Sequence, residues 1–143
     1  MENKSVFINA DMLEPYVTGP DYQSIMVMGD ELVGEHCINC NIGKVAPHGR
    51  LAGAHHEKAE LYYIVDCAPG AKVVTGKAED GNEIVYDVKP QDFIYIPGGL
   101  HHWIDNRDCD EKFIIMTMWP DQEQNGMYFK RLKEWGTSFR KKA

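Results

Sequence analysis

From about residue 24 onward the chain is a succession of short apolar runs, each closed by residues that turn the backbone. SIMVM stops at Gly29-Asp30, and CINCNIGKVA stops at Pro47-His48-Gly49. LYYIVDC ends at Ala68-Pro69-Gly70, and AKVVTG precedes Glu79-Asp80-Gly81-Asn82. EIVYDV ends at Lys89-Pro90, DFIYI at Pro97-Gly98-Gly99, and KFIIMTMW at Pro120-Asp121. Short runs rich in Val, Ile and Tyr, punctuated every 8–12 residues or so, predict an antiparallel all-β sandwich or barrel. A parallel arrangement needs a helix of ten or more residues between successive strands, and these gaps are too short for one.

The pattern changes near the C-terminus. Tyr128, Leu132, Trp135 and Phe139 recur at helical spacing, with lysines and arginines between them. They predict an amphipathic helix over about 121–140, with Asp121 at its approach, lying on the barrel or on a partner subunit. A chain of 143 residues suits one domain, 1–143, with its core over about 24–119. No apolar run approaches the roughly 20 residues that span a bilayer, and MENKSVFINADML lacks the apolar centre of a secretion signal, so a cytoplasmic location and no membrane role are expected. A net charge of −7 argues against nucleic acid as a partner, and the basic cluster at the C-terminus reads as a solvated helix face.

Cys37 and Cys40 form a CxxC, but Cys67 and Cys109 are single and distant, so no second zinc pair exists. HCINCNIGKV reads as strand, whereas a redox pair of the thioredoxin type opens a helix. Buried reduced thiols are the expectation.

Four of the six histidines fall in two adjacent pairs, His55-His56 and His101-His102, each beside a different strand. Imidazole is a costly way to fill a core, so such pairs point to metal. The first pair lies in GRLAGAHHEKAELYYIVDCAPG, with Glu60 four residues after His56; the second lies in QDFIYIPGGLHHWIDN.

These segments resemble the two motifs of the cupin superfamily. Gly49, His56 and Glu60 match positions of the first motif, and Pro97, Gly99, His102 and Asn106 match the second, with Asp92 ahead of them. The resemblance covers about residues 40–119 and implies a double-stranded β-helix, or jelly-roll barrel, with the amphipathic helix appended. It implies His56, Glu60 and His102 as ligands of one divalent ion, and Asn106 as a stabiliser of strand and loop. Gln91 replaces a turn glycine, and Ala54 stands where the family has a further histidine.

Strand alternation gives Ala54 the same face as His56 and turns His55 outward, leaving two histidines and one carboxylate with open coordination positions. Such a triad suits Fe(II) and accommodates Mn, Zn or Ni. The alternative is a β-bulge near Gly53 that turns His55 inward as a fourth ligand, with His48 a weaker candidate. His101, of opposite parity to His102, is expected at the rim. Tyr62 and Ile64 share the parity of Glu60, and Ile104 that of His102. Along FIIMTMW, either Met116 and Met118 or Phe113, Ile115 and Trp119 face inward. Arg50 has the parity of His56 on a straight strand and could clamp a substrate carboxylate; an exposed loop arginine is the alternative.

The expected function is a metal-dependent enzyme acting on a small, oxygen-rich, chelating substrate, with Fe(II) dioxygenation favoured and Glu57 and Tyr62 as proton-transfer groups. A redox-neutral decarboxylase, lyase or isomerase is the alternative, followed by a ligand-binding barrel without turnover. The resemblance, with the need to protect strand edges, implies a homodimer to which residues before about 25 and the C-terminal tail contribute.

Overall fold

A computed structural model describes residues 4–28, 30–34, 36–120 and 126–143. The strands are β1 (Tyr16–Thr18), β2 (Tyr22–Met26), β3 (Ile38–Val45), β4 (Arg50–Ala54), β5 (Glu60–Asp66), β6 (Lys72–Thr75), β7 (Ile84–Asp87), β8 (Phe93–Ile96), β9 (His102–Asp105) and β10 (Phe113–Pro120). A short helix α1 (Asp30–Val33) precedes β3, and α2 (Gly126–Trp135) follows β10. They form a six-stranded sheet ordered β1-β2-β3-β10-β5-β8 and a four-stranded sheet ordered β4-β9-β6-β7. Every pairing is antiparallel. The architecture is the antiparallel all-β arrangement that the turn spacing predicted, in the jelly-roll form that the resemblance implied, with a C-terminal helix.

The core lies between the sheets. Val45, Ile64, Phe113 and Ile115 from the larger sheet pack against Val73 and Ile104 from the smaller, each 0% exposed. Burying a side chain of this size stabilises by about 1.5–3 kcal/mol, so the two inner faces hold the barrel together. On β10 the buried set is Phe113, Ile115, Thr117 and Trp119, while Ile114, Met116 and Met118 point outward. Tyr62 and Ile64 lie on the inner face with Glu60, and Ile104 lies there with His102, as parity predicted.

Helix α2 is shorter than the spacing of its apolar residues suggested. Gly136, at φ +74, donates its N–H to Leu132 O and ends the helix one residue past Trp135. Phe139 therefore lies beyond it, and Asp121 falls outside the described residues. The helix is anchored by a charge as well as by apolar packing. Arg131, 2% exposed, donates to Ser24 Oγ and to Asn41 Oδ1 (3.5 Å), and its guanidinium lies 5.5 Å from the Tyr16 ring centre. The inward faces of β2 and β3 carry these acceptors, which need a donor once α2 excludes water. Trp135 completes the contact, edge-on to Tyr16 at 5.4 Å.

Gln91, in the place of a turn glycine, takes φ +78, a left-handed conformation that costs a non-glycine residue about 1 kcal/mol. The turn keeps its shape because Gln91 N–H donates to Ile64 O and Asp92 Oδ2 accepts from Lys89 N–H, both at 2.9 Å. Cys40 is buried on strand β3, where loss of solvent pushes its thiol up to about 11, and Cys37 is a free, exposed thiol. Neither opens a helix, so the CxxC has no redox geometry.

Candidate metal centre

Glu60 opens β5 and His102 opens β9, one in each sheet, and His56 lies in the loop between β4 and β5. The facing sheets bring the first two together. Glu60 Oε1 is 3.7 Å from His102 Nε2, and Glu60 Oε2 is 3.6 Å from His56 Nε2. One ligand atom from each of the three side chains lies within 4.8 Å of the others. Donors about 2.1 Å from a shared ion are separated by roughly 3–3.5 Å, so this spacing fits a divalent cation after a small inward adjustment.

Hydrogen bonds set the orientation of the donors. His102 Nδ1 lies 2.9 Å from Leu100 O; a carbonyl only accepts, so Nδ1 carries the proton and the Nε2 lone pair faces Glu60. Burial holds the His102 pKa at about 4, against the opposing pull of the Leu100 carbonyl and with help from the charges of the neighbouring histidines. His56 is also lowered, by burial and then by His55. The Tyr62 hydroxyl is hydrogen-bonded to Glu60, and its ring meets His102 edge-on at 5.7 Å. Burial first, and the Glu60 carboxylate second, keep that phenol protonated far above its usual range.

The loop carrying His56 is fixed by Pro97-Gly98-Gly99. Gly99, at φ +81, donates its N–H to His56 O at 2.6 Å. A side chain on Gly98 would overlap the Glu57 carbonyl oxygen, so only glycine permits this approach. Asn106, fully buried, donates from Nδ2 to Ala46 O (3.0 Å) and Glu111 O (2.8 Å), while its N–H bonds Gly49 O. It ties together the loops flanking β4 and β10.

His56, Glu60, Tyr62 and His102 thus converge, and four other sequence candidates do not join them. His55 is exposed: β4 ends at Ala54 and the chain leaves the sheet before His55 can follow it. A register shift between Leu51 and Ala54 does occur, yet Ala54 still pairs with His102 and lines the cavity. The same shift breaks the parity argument for Arg50, whose guanidinium lies outside the barrel, 5.8 Å from the Trp103 ring centre. Glu57 is exposed and does not line the cavity. His48 is also occupied elsewhere, with Nε2 2.9 Å from Asp110 Oδ1 and Nδ1 3.1 Å from Arg107 O. His101 is half-buried rather than at the open rim, its ring set where a side chain on Gly53 would otherwise lie.

The three candidate ligands line a cavity of about 90 Å³ together with residues the motifs did not indicate, among them Tyr22, Asn41, Thr117 and Met127. Tyr22 is buried and its hydroxyl accepts from Asn41 Nδ2 at 3.5 Å. A Cβ at Gly43 would lie 2.5 Å from that hydroxyl, so the glycine makes room for it. Burial pushes the Tyr22 pKa up to about 12. Thr117 had a visible signal, as the one hydroxyl in an otherwise apolar strand; Tyr22 had none, because its strand begins ahead of the apolar run.

No family model matches the sequence, and no curated relative matches it. Solved structures do. The polyketide cyclase RemF from Streptomyces resistomycificus superposes with a TM-score of 0.66 at 12% identity, over 85% of this chain and 83% of that one. KdgF from a Halomonas species gives 0.62 at 18% identity, over 83% and 96%. Oxalate decarboxylase from Bacillus subtilis, in a study of its Mn(II) centres, gives 0.71 at 16% identity; the match covers 96% of this chain and only 38% of that one. Among the described residues no helix is long and apolar enough to cross a membrane. These likenesses and the two-sheet topology agree on one architecture: the chain has the cupin fold.

Proposed function

We propose that the protein is a divalent-metal enzyme that acts on a small chelating organic molecule through redox-neutral chemistry. The observation that carries this reading is the meeting of His56, Glu60 and His102 at a small cavity whose remaining polar lining is hydroxyl and amide. When bound, the ion would supply Lewis acidity toward a carboxylate, carbonyl or enol oxygen. The protein's own groups do the rest. Glu60 and the two histidines hold the ion, and Tyr62 steadies Glu60. Tyr22 stays neutral and can donate a hydrogen bond to an oxygen that gains charge. Leu51, Ala52, Ala54 and Met127 supply the apolar lining, and about 90 Å³ admits only a molecule of few carbons. A cyclase and a decarboxylase among proteins of this fold agree with that chemistry, without naming the substrate.

Fe(II) dioxygenation is the second reading, favoured by the two-histidine, one-carboxylate set with its open positions. Metal content separates the proposal from a metal-free barrel. Protein purified without added metal is expected to carry close to one divalent ion per chain by elemental analysis, and oxygen uptake during turnover would transfer the assignment to the second reading. A protein that neither carries nor takes up Mn, Fe, Ni or Zn would remove both.

Acid sensitivity follows from the same histidines. A proton competes with the ion for the Nε2 lone pair, and His102 takes one up only near pH 4. Burial lowers both histidines, so the loss of affinity on acidification is expected to be centred below pH 6.5, where an unperturbed histidine site would weaken. Metal retained after dialysis at successively lower pH checks it, and a loss centred near 6.5 would contradict it.

A further inference from the structure

Opposite the candidate ligands, the cavity has a polar wall on β2 and β3, and a helix from outside the barrel reaches it. Tyr22 and Asn41 face inward from these strands, 6% and 4% exposed, and both line the cavity. They are not cross-strand neighbours: Tyr22 pairs with Val45 and Asn41 with Met26, with the Ser24–Gly43 pair between them. The Tyr22 side chain crosses over Gly43, the one residue type that leaves it this path to Asn41. Behind this wall, Arg131 of α2 donates to Asn41 Oδ1 and to Ser24 Oγ. Ser24 passes its own proton to Met127 Sδ at 3.7 Å, and among the described residues of α2 only Met127 lines the cavity.

The direction of each bond follows from what the groups can offer. A guanidinium has donors only, so the end of Asn41 that meets Arg131 Nη2 at 3.5 Å has to be the carbonyl oxygen. The other end is then the amide NH2, which donates to the Tyr22 hydroxyl oxygen, also at 3.5 Å. Bonds of this length are weak, and what they fix is the sense of the amide. Reversing it would set two donors against each other at Arg131 and would claim the phenol's proton for Oδ1. In the observed sense Tyr22 accepts from Asn41, and among the described residues its own O–H proton meets no acceptor. A buried donor left in this way at a cavity wall is an offer to a ligand.

We propose that Arg131 is a positioning residue for the cavity: by fixing the sense of the Asn41 amide, it leaves the Tyr22 O–H free to donate to a substrate oxygen. The inference rests on the reading of the cavity as a metal site for a chelating substrate. It gives α2 a part in recognising that substrate, although Arg131 itself is 2% exposed and does not line the cavity.

The probe is acetohydroxamate, a small chelator with paired oxygens. Titration calorimetry measures its affinity for the Mn(II)-loaded protein and, separately, the affinity of the protein for Mn(II) alone. Tyr22→Phe is expected to weaken the probe about 10–100-fold, the usual cost of one hydrogen bond to a charged oxygen, with Mn(II) affinity within a few-fold of wild type. Arg131→Met should weaken the probe about tenfold when Tyr22 is present and less than about twofold when Tyr22→Phe has already removed the proton it governs. Arg131→Lys, which also offers donors only, should recover most of the lost affinity. A role confined to anchoring the helix would lower stability in either background and give losses that add. Should Arg131→Met fail to fold, Asn41→Asp keeps the contact with Arg131 but can only accept, so it takes the phenol's proton, and its penalty should likewise shrink beside Tyr22→Phe. Additive losses, or a Tyr22→Phe protein that holds the probe like the wild type, overturn this inference and leave the metal reading standing. A wild type that does not bind Mn(II) removes both.

Discussion

His102→Ala is expected to weaken divalent-metal binding by well over about a hundredfold, since even the loss of a supporting hydrogen bond behind a ligand costs roughly 10–100-fold. His102 is the best prepared of the three donors. It is 3% exposed, Leu100 O holds its Nδ1 proton, and burial keeps Nε2 free of a proton at neutral pH. Alanine removes the donor and leaves Glu60, 8% exposed, facing His56 at 3.6 Å. It also removes the ring contacts with Tyr62 at 5.7 Å and His56 at 5.2 Å, so the metal-free protein should lose about 1–3 kcal/mol. Titration calorimetry and denaturant unfolding, each with and without metal, separate the two effects. His101→Ala and His55→Ala are the controls, being neighbours of the ligands in sequence but outside the cluster; each should bind metal within a few-fold of wild type. A His102→Ala protein that binds metal like the wild type would mean the ion sits elsewhere.

The parts of this arrangement legible in the sequence were those governed by local rules. Turn residues at Pro69-Gly70 and Pro97-Gly98-Gly99 bounded strands because their backbone preferences do not depend on tertiary context. Alternation placed Tyr62 and Ile64 with Glu60, and Ile104 with His102, because β5 and β9 run without interruption. The same rule failed for Arg50, since the register shift between Leu51 and Ala54 breaks the count that links it to His56. A shift of that kind depends on the partner strand and leaves no local trace. Arg131 was placed with the solvated charges because arginine is rarely buried; its burial became intelligible only once Ser24 and Asn41 were seen beneath the helix. Tyr22 and Asn41 reach the cavity through β2 and β3, whose pairing is long-range and invisible to any motif.

Gly98→Ala should weaken metal binding by about 10–100-fold without altering any metal ligand, because misplacing a donor by about 1 Å is costly at a preorganised site. The new methyl group would overlap the Glu57 carbonyl oxygen and lie 3.1 Å from its carbon, both backbone atoms that cannot turn aside as a side-chain tip can. Either the Pro97-Gly98-Gly99 turn or the 55–59 loop must retreat, and the 2.6 Å bond from Gly99 N–H to His56 O links the two. His56 adjoins Glu57, so its imidazole moves with the loop, while Glu60 and His102 stay fixed on their strands. The overlap itself should cost about 1–3 kcal/mol of stability. Gly99→Ala makes the informative contrast. Its Cβ would meet open space, but φ +81 imposes roughly 1 kcal/mol of strain on a non-glycine residue, so a stability loss with near-normal metal affinity is expected. Calorimetry on both variants distinguishes displacement from strain. Equal affinities for Gly98→Ala and the wild type would show that His56 is positioned by something other than this close passage of two backbones.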